Sequence, residues 1–153
     1  MSKYMNLIGQ KARKASLKKI NTKIKNKVLK RYALLLDKEK NFILKANVKD
    51  VKLAIKKGLK NNIIDRLTIS QKKLKNIKNS VNNIAKLKDP VDNTLKSWSR
   101  PNGLKIDQVS IPIGVIGIIY ESRPNVTSDV TSLCFKSGNA AILKGGSEAI
   151  NTN

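Results

Sequence analysis

At 153 residues the chain is long enough to bury one real core. No apolar run approaches the roughly 20 residues that span a bilayer, and Met1–Gln10 lacks the apolar stretch of a secretory leader, so a cytoplasmic location with no membrane partner is expected. A lone cysteine, Cys134, and the lack of any histidine exclude an internal disulfide and a Cys/His zinc site, while a formal charge of +22 raises the question of an anionic partner.

Residues 1–88 carry a helical period with few breakers. Ile24, Val28, Tyr32, Leu35 and Leu36 form one stripe, and Leu74, Ile77, Val81 and Ile84 form another; both are expected to pack inward. Ser70 stands where its hydroxyl can cap the second of these helices, Asn21-Thr22 can cap the first, and Gly58 with Asn61-Asn62 marks a break between helices. Asp89-Pro90 ends the helical region. Alternation on either side of Pro101-Asn102-Gly103 predicts a β-hairpin within 94–111, its strands near 94–99 and 104–111, with Trp98 as its anchor.

The segment 112–153 changes character. "GVIGII" is a continuous apolar run of the kind covered on both faces of a sheet. A polar turn follows at Tyr120–Asn125, then a helix with apolar spacing at Val126, Val130, Leu133 and Cys134, closed by Ser137-Gly138-Asn139. "AAILK" is a second short strand, ending at Gly145-Gly146. Strand, helix and strand at this spacing predict a right-handed parallel βαβ unit, the opening of a doubly wound nucleotide-binding sheet. The glycines leave backbone that a ligand can approach at the carboxyl end of a strand.

The charge is unevenly spread. Residues 1–110 hold 29 Lys and Arg against 7 Asp and Glu, whereas residues 111–153 hold three of each. Of the basic residues 27 are Lys and 5 are Arg, and aromatics are scarce, so the guanidinium forks and stacking platforms that grip nucleic acid are largely missing. Lys18-Lys19, Lys56-Lys57 and Lys72-Lys73 scatter the charge around the helices rather than focusing it. Solvated helix faces filled from A/T-rich codons explain this pattern better than a nucleic-acid surface does.

The strings "IPIGVIGIIYESRPNVTSDVTSLCFKSGNAAILKGGSEAINTN", "NVKDVKLAIKKGLKNNIIDRLTIS" and "KDPV" resemble, in the same order, the N-terminal part of the glutamate-5-semialdehyde dehydrogenase family, also called gamma-glutamyl phosphate reductases. The resemblance covers essentially the whole chain. It implies an α/β, aldehyde-dehydrogenase-like fold that is incomplete here: N-terminal helices, a β-hairpin serving as an oligomerisation extension, and the first βαβ unit of the NADP-binding domain, with the catalytic domain absent. It also implies NADPH-dependent reduction of gamma-glutamyl phosphate to glutamate 5-semialdehyde and phosphate, the second step of proline biosynthesis from glutamate. A homo-oligomer of the complete protein and a functional association with glutamate 5-kinase belong to the same implication.

In that chemistry a cysteine thiolate attacks the acyl phosphate and the resulting thioester is reduced. The family's nucleophile lies further along than Asn153, and Cys134, on the apolar stripe beside Leu133 and Phe135, reads as core. Lys144 matches the superfamily's cofactor lysine by position, and Gly145, Gly146 and Ser147 complete the expected cofactor edge. Ser147 stands where NAD-using members often carry a Glu, and a hydroxyl there can donate to the 2′-phosphate of NADP(H); the alternative for Lys144 is a solvated strand-end lysine beside a plain turn. Asn125 is the expected oxyanion donor, or else a helix N-cap. Arg123 is placed to receive the departing phosphate or the substrate carboxylate, and Glu121 and Ser122 read as turn residues. The chain alone is expected to be inactive and poorly stable. An inactive remnant, and a basic helical module binding nucleic acid or an acidic partner, stand as alternatives.

Overall fold

A computed structural model describes residues 3–153, which form five helices, a β-hairpin and a βαβ unit. The helices are α1 (Lys3–Ser16), α2 (Thr22–Lys38), α3 (Lys40–Lys56), α4 (Asn61–Leu67) and α5 (Gln71–Lys86). The helix expected from Met1 is seen from Lys3; Met1 and Ser2 lie outside the described residues. The predicted caps form: Asn21 Oδ1 accepts from the Ile24 amide at 2.9 Å, and Ser70 Oγ accepts from that of Lys73 at 3.1 Å. Each satisfies one of the orphan donors of a first helical turn. Gly58, at φ +69°, closes α3: its amide donates to Ile55 O and that of Leu59 to Ala54 O. This paired pattern brings Leu59 back onto the core beside Ala54. Asn61-Asn62 opens α4 rather than lying in the break, which spans Lys57–Lys60.

The main core lies between α2 and α5. The predicted α5 stripe is buried as expected, with Ala85 added to it. The α2 stripe is rotated from its predicted position. Ile24, Val28 and Leu35 are exposed, whereas Lys25, Leu29, Ala33 and Leu36 face inward. Hydrophobicity misplaces this face because two of its members are not large and apolar. Ala33 is a small contact, and Lys25 is buried because its ammonium pairs with Asp89 at 3.0 Å. Burial opposes the ionised state of Asp89, but hydrogen bonds from Lys25, Thr22 and the Val91 amide, with the Lys25 charge, outweigh it and hold its pKa below the ordinary carboxylate value.

The hairpin pairs β1 (Thr94–Ser99) with β2 (Lys105–Val109), antiparallel, with Trp98 opposite Ile106. Gly103 takes φ +84° in its turn. Trp98 does not anchor a core: it is 43% exposed, as every β1 residue is exposed. A two-stranded ribbon has only its own cross-strand pairs to bury against unless a further layer covers it.

β3 (Val115–Ile119) and β4 (Ala140–Lys144) are parallel neighbours joined through α6 (Pro124–Lys136), which gives the expected βαβ unit. Val115, Ile116 and Ile118 of β3 are half-buried, but Gly117 and Ile119 are exposed, so the run is not covered on both faces. α6 also departs from the predicted stripe. It turns Ser128, Ser132 and Cys134 inward and leaves Leu133 exposed, because small side chains are what face α5. Gly138, at φ +73°, ends α6 with the same paired carbonyl pattern as Gly58. A Cβ there would stand 3.0 Å from Pro112 Cγ, so both the backbone angle and the space require glycine.

Candidate functional site

The carboxyl ends of β3 and β4 carry the turns Tyr120–Arg123 and Gly145–Gly146, and several bonds knit them together. The Tyr120 amide donates to Lys144 O at 3.1 Å, and Ser122 Oγ donates to Glu148 Oε1 at 2.8 Å. Tyr120 and Thr127 share a hydroxyl–hydroxyl bond of 2.6 Å, and Thr127 Oγ1 donates to Asn153 Oδ1 at 2.8 Å. Ser122, read from sequence as a plain turn residue, is thus a buried link between the two turns.

Lys144 is exposed at the strand end, as its position predicts. With Gly145, Gly146 and Ser147 it lines an open cleft of about 630 Å³, whose apolar wall includes Ile119, Leu143 and Ile150. An exposed ammonium beside an apolar wall fits a phosphorylated nucleotide, the base lying on the wall and a phosphate on the cation. The glycines serve the chain itself. A Cβ at Gly145 would stand 3.2 Å from the Tyr120 hydroxyl and collide with the Asn153 amide, and one at Gly146 would overlap the Glu148 carboxylate. The backbone expected to lie open to a ligand is in part covered by these three side chains.

Two buried residues on α3 hold the segment Asn151-Thr152, just after the 3₁₀ turn that follows β4, and sequence reasoning missed both. Asp50, 1% exposed, accepts from the Thr152 amide at 2.8 Å, Thr152 Oγ1 at 2.5 Å, Asn151 Nδ2 at 2.6 Å and the Asn151 amide at 3.2 Å. Asn47, one turn earlier, donates to Leu67 O and Thr152 Oγ1 and accepts from the Ile69 amide. Ala149, in the short 3₁₀ turn Ser147–Ala149, packs with Ala54 and Leu67. The available signal was polar residues at an i, i+3 spacing on a helix's inward face, which reads as a break in the stripe unless a partner is known.

Asn125 and Arg123 do not face the Lys144 cleft. Arg123 occupies the N-cap position of α6 and is exposed. Asn125 is therefore not the N-cap; it is the second helical residue, after Pro124, and its amide lies 3.4 Å from Asp129 Oδ2. It lines a second cleft, of about 350 Å³, between the start of α6 and the α4–α5 corner. Cys134 is buried, and burial pushes its thiol pKa up, the opposite of what a nucleophile needs. Among the described residues no cluster of His, Cys, Asp or Glu is suited to a metal, and no helix is long and apolar enough to cross a membrane.

A helical region joined through a hairpin to the first parallel βαβ unit, with a lysine at the second strand's carboxyl end, is the N-terminal architecture of an aldehyde-dehydrogenase-like protein. No family model matches the chain. The gamma-glutamyl phosphate reductase of Nitratiruptor is 53% identical over 143 residues, 94% of this chain and 35% of that protein. The one from Persephonella marina is 45% identical over 152 residues, 98% of this chain and 34% of that protein. The crystal structure of gamma-glutamyl phosphate reductase from Thermotoga maritima superposes with a TM-score of 0.90 at 44% identity, covering 94% of this chain and 35% of that one. The Saccharomyces cerevisiae enzyme gives 0.93 at 36% identity, covering 99% and 39%. The chain is similar over nearly its whole length to proteins named gamma-glutamyl phosphate reductase, and it spans about a third of the length of the curated relatives it matches.

Proposed function

We propose that these residues serve the NADPH-dependent reduction of gamma-glutamyl phosphate to glutamate 5-semialdehyde and phosphate, carried out by the full-length protein. The observation that carries this reading is the match of nearly the whole chain, in sequence and in fold, to proteins named for that reaction. Lys144 and Ser147 bind the 2′-phosphate of NADPH at the cleft beside β4, with the nearby Asn151-Thr152 segment held by Asp50. Bound there, NADPH supplies the hydride that the acyl group accepts. At the other cleft the Asn125 amide donates to the oxygen on which negative charge develops, and Arg123, exposed at the start of α6, meets the departing phosphate.

The reading carries further proposals with it. The hairpin, exposed along β1 with Trp98 half-uncovered, pairs with a second copy in a homo-oligomer. Acyl phosphates hydrolyse readily, so the kinase that makes this one, glutamate 5-kinase, is the expected functional partner. The location is cytoplasmic, and the 153-residue chain by itself does not turn over. Purified full-length protein should consume NADPH when gamma-glutamyl phosphate is supplied, and Lys144→Glu should raise the KM for NADPH about tenfold or more while sparing that for the acyl phosphate. Absence of turnover in the full-length protein, or an unchanged KM for NADPH in the variant, would sink the reaction or the cofactor assignment respectively.

A further inference from the structure

The groups assigned to cofactor and to substrate sit on different turns, and those turns are tied to each other by side chains that line neither cleft. Ser122 precedes Arg123, and Glu148 follows Ser147. Ser122 is 7% exposed, and its Oγ donates to Glu148 Oε1 at 2.8 Å. A serine that only completed a local turn would bond backbone within a few residues of itself. This one reaches past β4 instead, to a residue 26 positions on. Neither Ser122 nor Glu148 lines the Lys144 cleft or the Asn125 cleft.

The carboxylate that Ser122 meets is closely seated. A Cβ at Gly146 would overlap both carboxylate oxygens of Glu148, so glycine at that position leaves the room in which Glu148 turns back toward Ser122. A second tie runs beside the first, from Tyr120 through Thr127 at the start of α6 to Asn153. Beyond the bond from the Tyr120 amide to Lys144 O, the backbones of the two turns share no hydrogen bond among the described residues. Hydrogen bonding between them therefore falls to side chains.

We propose that Ser122 and Glu148 are positioning residues: their bond sets the placement of the Arg123–Asn125 segment relative to the Lys144–Ser147 edge, a reading that rests on the reaction proposed above for what each turn carries. Hydride transfer requires cofactor and acyl group in close register, and a misplacement of about 1 Å caused away from the chemistry costs on the order of a hundredfold in rate. Side chains that support a site without touching its ligands act on that register. Loss of the tie is therefore felt in turnover rather than in the binding of either ligand alone.

Steady-state kinetics of the full-length protein tests the tie. Ser122→Ala and Glu148→Ala are each expected to lower kcat about tenfold or more, while the KM values for NADPH and for the acyl phosphate move less than about threefold. Glu148→Gln keeps an oxygen that accepts from Ser122 and is expected to hold kcat within about threefold of wild type, and the double alanine variant is expected to be no slower than either single one. Amide hydrogen exchange reads the tie without turnover: both alanine variants should exchange faster at residues 120–123 and 147–149, with the amides of α2 and α5 unaffected. An unchanged kcat in Ser122→Ala, a loss carried by the KM for NADPH alone, Glu148→Gln as slow as Glu148→Ala, or unchanged exchange overturns this proposal and leaves the reaction standing. A wild type that consumes no NADPH on gamma-glutamyl phosphate overturns the reaction, and this proposal with it.

Discussion

The helical region and the strands differ in how far they enclose their apolar side chains. Between α2 and α5, and again around Ala54 and Leu67, apolar side chains are enclosed, although α1 buries no residue and Phe42 and Ile55 of α3 are exposed. The strands enclose less. No strand residue belongs to either buried cluster, β1 is exposed throughout, and Ile119 at the end of β3 is 81% exposed. The difference follows from how each element is satisfied. A helix completes its backbone hydrogen bonds internally and needs one neighbour for its apolar stripe, whereas a strand needs a neighbour on each edge and a layer on each face.

The comparison can be broken or sharpened by substitution. Asp50→Ala strikes the joint between the two regions, leaving the Thr152 and Asn151 donors unpaired, and should cost on the order of 3–5 kcal/mol in urea unfolding. A loss below about 1 kcal/mol would mean that the turn after β4 is held mainly by Ala149 packing. Leu67→Ala, in the helical core with no exposed surface, should cost about 3 kcal/mol by the same measurement. Asp89→Asn should cost about 2 kcal/mol at neutral pH.

The same substitution should flatten the acid limb of the stability curve. The native pKa of Asp89 lies below its unfolded value, so its contribution is fully present above the unfolded pKa, about 4, and is lost as pH falls from there through the native value. Urea midpoints measured as pH is lowered should therefore converge for wild type and variant; parallel curves would place the acid sensitivity elsewhere. The smallest effects belong to the strands: Trp98→Ala and Ile119→Thr should each lie within about 0.5 kcal/mol in this chain. In the full-length protein both should cost more if a partner strand or a second copy covers them, which analytical ultracentrifugation of Trp98→Ala would report as a weaker oligomer.

Much of the molecule was legible before any coordinates. The N-caps at Asn21 and Ser70, the terminators Gly58 and Gly138, the hairpin turn at Gly103 and the parallel βαβ order all follow from local rules, and all are present. Faces were harder than elements. The α2 stripe was misplaced because Lys25 is buried by a partner, Asp89, 64 residues away, and the α6 stripe because close helix packing favours Ser128 and Ser132 over Leu133. The exposed position of Lys144 at the end of β4 was legible from its place after a strand. Asp50 and Asn47 were not, because a polar residue on an inward face has meaning only once its donors, about 100 residues on in the case of Thr152, are known.

What the sequence determined by itself is therefore the helical character of residues 1–88, its caps and terminators, the hairpin, the βαβ order and a family resemblance, because caps, breakers and periodicity act over a few residues and motif strings are read directly. Tertiary structure alone decided which faces are buried, which side chains hold Asn151-Thr152 after β4, and that Asn125 and Lys144 line separate clefts rather than one. Those outcomes rest on hydrogen bonds and packing between residues far apart in the chain, where the free energy of a buried polar group depends on a partner that no local pattern names.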